Sequence, residues 1–397
     1  MKGVIVEKCL RLLQANKNLI LTGAPGTGKT YLAKQIAQQM LFGEAKDEEK
    51  LDDKQKAFFK EHCDFVQFHP SYDYTDFVEG LRPTLPSDNG QIGLKKGIFK
   101  EFCERALKAA AVSGVDNFDE AWKKLTDTIA NEDEIAIPLN GRKKTRYGIS
   151  GAVSLRFLDI SAGTLTKNNV YNVYRGLKGR DSGAYQHYMQ AAVNYMKKNC
   201  GLCDYRPDVI SSSKQLKYVF IIDEINRGKI SKIFGELFFL IDPEYRGEKG
   251  KVKTQYANLI AEGDIFYDGF FVPENVYIIG TMNDIDRSVE RFDFAMRRRF
   301  VWQEITAEQS ADNMHLPDSS HERMKHLNET ISRIEGLNAA YHIGGAYFLK
   351  LEKGNGDYAK LWNHHIEPLL KEYLRGLPNA QDNLKSLENA YNLKHDG

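Results

Sequence analysis

The sequence predicts an α/β fold built on a parallel sheet. Three observations predict it. The first is the stretch Gly23-Ala24-Pro25-Gly26-Thr27-Gly28-Lys29-Thr30. It lies between the apolar run Leu19–Thr22 and Tyr31–Leu41, where apolar residues at 32, 33, 36, 37, 40 and 41 recur at helical spacing. The second is the apolar run Tyr218–Ile222, which ends in Asp223-Glu224. The third is the apolar run Val276–Thr281, followed by Met282-Asn283. Strands this apolar along their whole length belong to a sheet covered on both faces.

A Gly-rich turn between a strand and a helix, ending in Lys-Thr, is a phosphate cradle. Gly23, Pro25, Gly26, Thr27 and Gly28 would bring backbone N–H groups around phosphate oxygens, and the helix start adds partial positive charge. Lys29 reaches the terminal phosphates, the Thr30 hydroxyl suits Mg²⁺, and Tyr31 follows in the same candidate site. Carboxylates at a parallel strand's C-terminal end sit beside a bound nucleotide. Asp223 would then orient the Mg²⁺ shell and Glu224 would polarise the attacking water. Asn283, at the next strand's end, would hold that water against the third phosphate.

A chain of 397 residues has room for two or three domains. Its net charge of +1 gives no global pull toward nucleic acid or membrane, so charged partners must be read from local patches. Five cysteines are too few to scaffold a chain this long, and reduced thiols in a cytoplasm are expected. Cys200 and Cys203 have ligand spacing but no second pair, so unliganded thiols are favoured over zinc. No apolar run approaches the roughly 20 residues of a membrane span. Met1–Leu13 is interrupted by charges, so no leader and no upstream recognition domain are expected.

Val4–Leu13 reads as an amphipathic helix, 46–60 as a charged surface helix, and 65–68 as the next strand. The loop 69–83 is rich in aromatics and acids, and is either a packed Ω-loop or a substrate-facing loop. Lys95–Phe99 is expected to open a helix through about Ala111. Ser231–Ile241 reads as a helix, 300–305 as the last strand, and 306–397 as a helical region. The run Arg297-Arg298-Arg299 is either a solvated patch or a set of cations for a neighbouring subunit's site.

Together these motifs resemble the McrB family of AAA+ proteins, motor subunits of modification-dependent restriction systems. The resemblance rests on residues 23–30, Phe68-His69-Pro70-Ser71-Tyr72, Asp223-Glu224-Ile225-Asn226-Arg227, Met282-Asn283 with Asp286-Arg287-Ser288, and Arg297–Phe300. Ile343-Gly344-Gly345-Ala346-Tyr347-Phe348 is similar to the family's lid signature. It implies an AAA+ P-loop NTPase core with a parallel sheet and a C-terminal helical lid. It also implies a homo-oligomeric ring, expected as a hexamer, that hydrolyses GTP (or ATP) with Mg²⁺. The implied partner is an McrC-like nuclease subunit, with DNA reached through the complex. Asn283 matches the sensor position, and Asp286 and Arg287 match an interface pair. Arg298 and Arg299 match residues that reach across the interface, and Arg227 would face it too. Asp284 and Ile285 depart from the family, which has Thr and a small residue there. An added carboxylate beside the phosphates is electrostatically awkward. The resemblance also places loop 69–83 at a central pore, where Tyr72, Tyr74 or Phe77 would touch what enters.

Lys29 and Asp223 lie farther apart than the length of many whole domains, roughly 100–150 residues. An α+β module inserted over 112–216 is therefore expected, dividing the core into 1–111 and 217–305, with the lid over 306–397. Within it, helices are expected over Phe118–Ala130, after a Thr166 cap to Arg175, and over Tyr185–Lys198, with short strands at 135–139, 146–149 and 153–160. From Gly141 to Arg180 it carries Arg142, Lys143, Lys144, Arg146, Arg156, Lys167, Arg175, Lys178 and Arg180, against one acid, Asp159. Tyr147, Phe157, Tyr171 and Tyr174 lie among them, a mixture that suits nucleic acid or a plain solvated face. The competing functions are a MoxR-like ATPase remodeller and a nucleotide-gated assembly scaffold. The Met-Asn-x-x-Asp-Arg-Ser stretch favours the McrB-like reading over the first. A water-activating acid is superfluous to the second.

Overall fold

The computed structural model describes residues 4–83, 92–112, 117–139, 144–150, 154–159, 163–180, 182–205, 216–261, 263–285, 294–353 and 356–393. Met1–Ala106 with Lys217–Gly397 forms one compact unit, and Leu107–Leu216 forms a second.

The first unit is built on five parallel strands. Their spatial order is Val301–Glu304, Asn18–Thr22, Val276–Thr281, Tyr218–Asp223, Cys63–Gln67. Leu19 lies opposite both Ile279 and Val301, and Ile221 lies opposite Ile279 and Phe65. Every residue of Asn18–Thr22 and Val276–Thr281 is buried, as a sheet covered on both faces requires. Helices Val4–Asn16 and Lys29–Phe42 cover one face with Cys9, Leu13, Leu32, Ala33 and Ile36. An aromatic cluster packs elsewhere in the core: Phe77 stacks on Phe99 at 4.8 Å, and Phe99 meets Phe220 edge-on at 5.0 Å.

Two local expectations need correction. Lys95 and Lys96 do not open a helix; they end the strand Ile92–Lys96, which pairs antiparallel with Glu79–Pro83. The helix starts at Ile98, because Gly97 lies so close to the Phe77 and Val78 backbone that a side chain there would overlap it. Ser231–Ile241 is not one helix: Ile230–Phe234 gives way at Gly235, with φ 51°, to a 3₁₀ turn. Loop 69–83 forms the short helix Tyr74–Phe77, capped by Asp73. Tyr74 and Phe77 are buried, and the Tyr74 hydroxyl donates to Glu236 Oε1 at 2.5 Å. Tyr72 stacks on Phe68 at 5.0 Å. Tyr74 and Phe77 pack inward, which leaves the pore-contact reading of these two without exposed rings, while Tyr72 is half-buried.

The described residues from 306 to 393 are mostly helical, in the region where a lid is expected. Thr306 caps the helix Ala307–Met314 with a complete capping box. Leu327 and Ile331 of Asp318–Arg333 pack with Ile343, Leu370 and Leu387. Among the described residues no helix is long and apolar enough to cross a membrane.

The second unit sets helices Phe118–Glu132, Lys167–Tyr174 and Gln186–Asn199 with a four-stranded antiparallel sheet of Ile135–Pro138, Lys144–Ser150, Ser154–Phe157 and Thr164–Leu165. The last, two-residue strand is too short to leave a period in the sequence. Thr166 caps its helix by accepting from Asn169 N. Tyr147, Phe157 and Tyr174 belong to this unit's own core, beside Trp122 and Met189. Arg146 pairs with Asp159 at 2.8 Å and Glu134 at 3.4 Å, and Lys167 pairs with Asp119 at 2.9 Å. Buried Tyr147, Phe157 and Tyr174 therefore offer no face for base stacking, Tyr171 is half-buried, and part of the basic face is neutralised by acids outside the segment. Arg142 and Lys143 lie outside the described residues.

Candidate nucleotide-binding site

The phosphate loop leaves the buried strand Asn18–Thr22 and enters the helix Lys29–Phe42. Gly26 and Gly28 take φ values of 76° and 74°, the left-handed region where a side chain would be strained. Lys29 is buried, and its Nζ donates to Gly23 O at 3.0 Å, Ala24 O at 2.9 Å and Thr27 Oγ1 at 3.2 Å. Burial pulls the Lys29 pKa down to about 8, against the opposing pull of the Asp284, Glu224 and Asp223 carboxylates. A buried cation curled onto carbonyl oxygens is ready to exchange them for phosphate oxygens. Tyr31 is exposed, and its hydroxyl donates to Asp47 Oδ1 at 2.5 Å.

Strand order brings the acids to this loop. Asp223 Oδ1 accepts from Thr30 Oγ1 and from Thr281 Oγ1, each at 2.6 Å. Thr281 Oγ1 in turn accepts from Glu224 N at 3.2 Å. Glu224 has φ 52° and ψ 45°, a left-handed turn unusual for a residue with a Cβ. Its Oε1 accepts from Asn283 Nδ2 at 2.8 Å, and its Oε2 lies 3.3 Å from Arg227 Nε. The hydroxyl of Thr30 beside a carboxylate is a hard-oxygen set that fits Mg²⁺, which takes one or two protein ligands and fills the rest with phosphate and water.

Asp284 accepts a hydrogen bond from the Gly23 backbone and is the largest carboxylate influence on Lys29. Solvent reaches Asp284, yet the surrounding protein raises its carboxyl pKa, with Glu304 adding to the rise and Lys29 opposing it. A cavity of about 530 Å³ opens beside Ala24, between Glu304 and the lid residues Met324, Asn328 and His342. The reactive groups at Lys29, Asp223 and Glu224 are outside that cavity's lining.

The two arginines grouped in the sequence separate. Arg298 is exposed. Arg299 is buried, with its guanidinium 4.7 Å from the Phe238 ring. In this conformation Arg299 packs within its own chain. Asp286 and Arg287 lie outside the described residues. Thr281 was missed in the sequence; its signal is a hydroxyl at the end of a buried strand whose neighbouring strand ends in Asp223. Cys200 is buried, and among the described residues no group of three or more His, Cys, Asp or Glu side chains could hold a metal alone.

Known proteins match in the same places. Residues 319–382 match the McrB alpha-helical lid domain, and 172–300 match the AAA domain of the dynein-related subfamily. This is an McrB-like AAA+ protein. Residues 4–64, around the phosphate loop, also match the Novel STAND NTPase 3 model. The McrB-like chain is 28% identical to the type IV methyl-directed restriction enzyme EcoKMcrB subunit of Escherichia coli K12, over 95% of this chain and 58% of that protein. It is 26% identical to the type II restriction enzyme BsuMI component YdiS of Bacillus subtilis 168, over 39% of this chain and 46% of that protein. The chain thus spans 58% of the first relative's length and 46% of the second's.

Proposed function

We propose that this protein hydrolyses a purine nucleoside triphosphate with Mg²⁺, GTP in preference to ATP, as the motor of a restriction system in the cytoplasm. The Glu224–Asn283 contact carries the reading. A carboxylate held by an amide at two adjacent strand ends, beyond a phosphate loop, is an arrangement for aligning and deprotonating water. Lys29 and the loop amides would hold the phosphates, and Thr30 and Asp223 would hold Mg²⁺, which supplies charge neutralisation at the phosphates when bound. Glu224 would take the water's proton at a carboxylate oxygen, and Asn283 would orient it. Arg298, exposed on the same chain, is the candidate cation for a neighbouring subunit's phosphates in a homo-oligomeric ring, expected as a hexamer. Asp286, Arg287 and Arg227 are proposed as interface residues on the family resemblance.

The two relatives' names, both restriction enzyme components, support a partner McrC-like nuclease that this motor drives against foreign DNA. We assign the segment 112–216 as an inserted module within the core, 1–111 and 217–305, with 306–397 as the lid. The test is steady-state hydrolysis of GTP and ATP, with and without the protein encoded next to this one. Turnover of GTP that rises with that partner and vanishes in Glu224→Gln supports the proposal. Absence of binding to either triphosphate overturns it.

A further inference from the structure

The lid turn Ile343–Phe348 touches the phosphate loop through its backbone. Gly344 N donates to Pro25 O at 3.0 Å, and Ala346 N donates to Gly26 O at 2.9 Å. A trans peptide points its C=O and its N–H in opposite directions. Holding the Pro25 carbonyl therefore sets the direction of the Gly26 N–H. Holding the Gly26 carbonyl sets the direction of the Thr27 N–H. Both N–H groups are turned away from the lid, to the side where the loop's amides would receive phosphate oxygens.

The contact is built on both sides. A Cβ on Gly344 would overlap the Gly26 carbonyl carbon and the Thr27 nitrogen, and a Cβ on Gly26 would lie 2.5 Å from the Tyr347 ring. The turn is itself held from below. Buried Asn328 donates to Ile343 O at 3.0 Å and accepts from Ile343 N at 2.7 Å. Ser310 Oγ accepts from Gly345 N at 3.1 Å. Two lid helices thus fix the turn, and the turn fixes two peptide planes of the loop.

We infer that Gly344 and Ala346 are positioning residues for triphosphate binding: the lid presets the amides of Gly26 and Thr27 before the phosphates arrive. This rests on the nucleotide reading above. A lid displaced from the loop frees both planes to rotate, and preorganised donors are stronger binders than mobile ones. Nucleotide affinity is then tied to lid position through these two backbone hydrogen bonds.

The test compares wild-type protein with Gly344→Ala, which pushes the turn off the loop, and with Ala346→Pro, which removes the donor to Gly26 O and fixes the backbone φ at 346. Binding of the non-hydrolysable analogues GMP-PNP and AMP-PNP is measured by calorimetry, and KM and kcat by steady-state hydrolysis. The inference expects KM and the analogue Kd to rise about tenfold in Gly344→Ala, with kcat at saturation kept. Ala346→Pro moves the same way by a smaller factor. A merely structural role would lower the active fraction and the ligand-free melting temperature while KM stayed put, and that result overturns the inference. Wild-type binding with both variants unchanged overturns it too, leaving the nucleotide reading intact. Wild-type protein that binds neither analogue overturns both.

Discussion

Asn283 donates from Nδ2 to Glu224 Oε1 at 2.8 Å, across two neighbouring strand ends. Glu224 reaches this partner from a left-handed backbone turn, φ 52°. Non-glycine residues persist there when their surroundings over-determine them, and such strain gathers at active sites. Here the determinants are the Asn283 amide, the Thr281 hydroxyl and the Arg227 guanidinium.

Glu224→Gln keeps the shape and the backbone preference, and removes only the base. Hydrolysis should fall by roughly 10²–10⁴ while GMP-PNP affinity stays near wild type. Asn283→Ala should reduce turnover by a smaller factor with little change in KM. Both are read by phosphate release and calorimetric titration. A Glu224→Gln protein with normal turnover rules out Glu224 as the base.

Lys29 titrates near 8 in the ligand-free site because burial opposes its charge. Phosphates favour the charged form, so binding takes up a proton wherever Lys29 is neutral. Affinity for a triphosphate should therefore fall as pH rises through about 8. Asp284→Ala removes a carboxylate from the phosphate surroundings and should tighten binding about three- to tenfold at pH 7. It also removes the carboxylate that most supports the Lys29 charge, so the fall in affinity should begin at lower pH. Calorimetry from about pH 6 to about pH 9, a range that brackets the lowered Lys29 titration at about 8, checks both signs.

Arg298→Ala and Arg299→Ala should fail differently. Arg298 is exposed, so its loss should leave the monomer's melting temperature unchanged and lower turnover only in the assembled protein. Arg299 is buried with its guanidinium over the Phe238 ring. Its loss should cost about 2 kcal/mol of stability, measured by urea unfolding of the monomer.

Glu79 and Lys100 form a fully buried ion pair, with Tyr256 N donating to Glu79 Oε1 at 3.3 Å. Glu79→Ala strands the Lys100 ammonium between the Phe266 and Phe270 rings. A loss of about 3–5 kcal/mol is expected, and the double variant Glu79→Ala/Lys100→Met should recover much of it. A double variant that loses as much stability as Glu79→Ala and Lys100→Met together would show that the pair is not coupled.

The parts legible in the sequence are those set by neighbours along the chain. Glycines at 23, 26 and 28, followed by Lys29 and Thr30, dictate a tight loop opening a helix, whatever surrounds them. The all-apolar runs at 218–222 and 276–281 dictate central strands, because only a sheet covered on both faces keeps so much apolar surface from water. Tertiary packing alone decided that Thr281 shares the Asp223 oxygen with Thr30, since strand order rather than chain distance makes them neighbours. It also decided that Tyr74, Phe77, Tyr147 and Phe157 fill cores rather than face a ligand, because one-dimensional composition does not say which side of a short segment meets water. It separated Arg298 from Arg299 for the same reason: adjacent residues in a turn leave in different directions, and only the packing of Phe238 decides which one is buried.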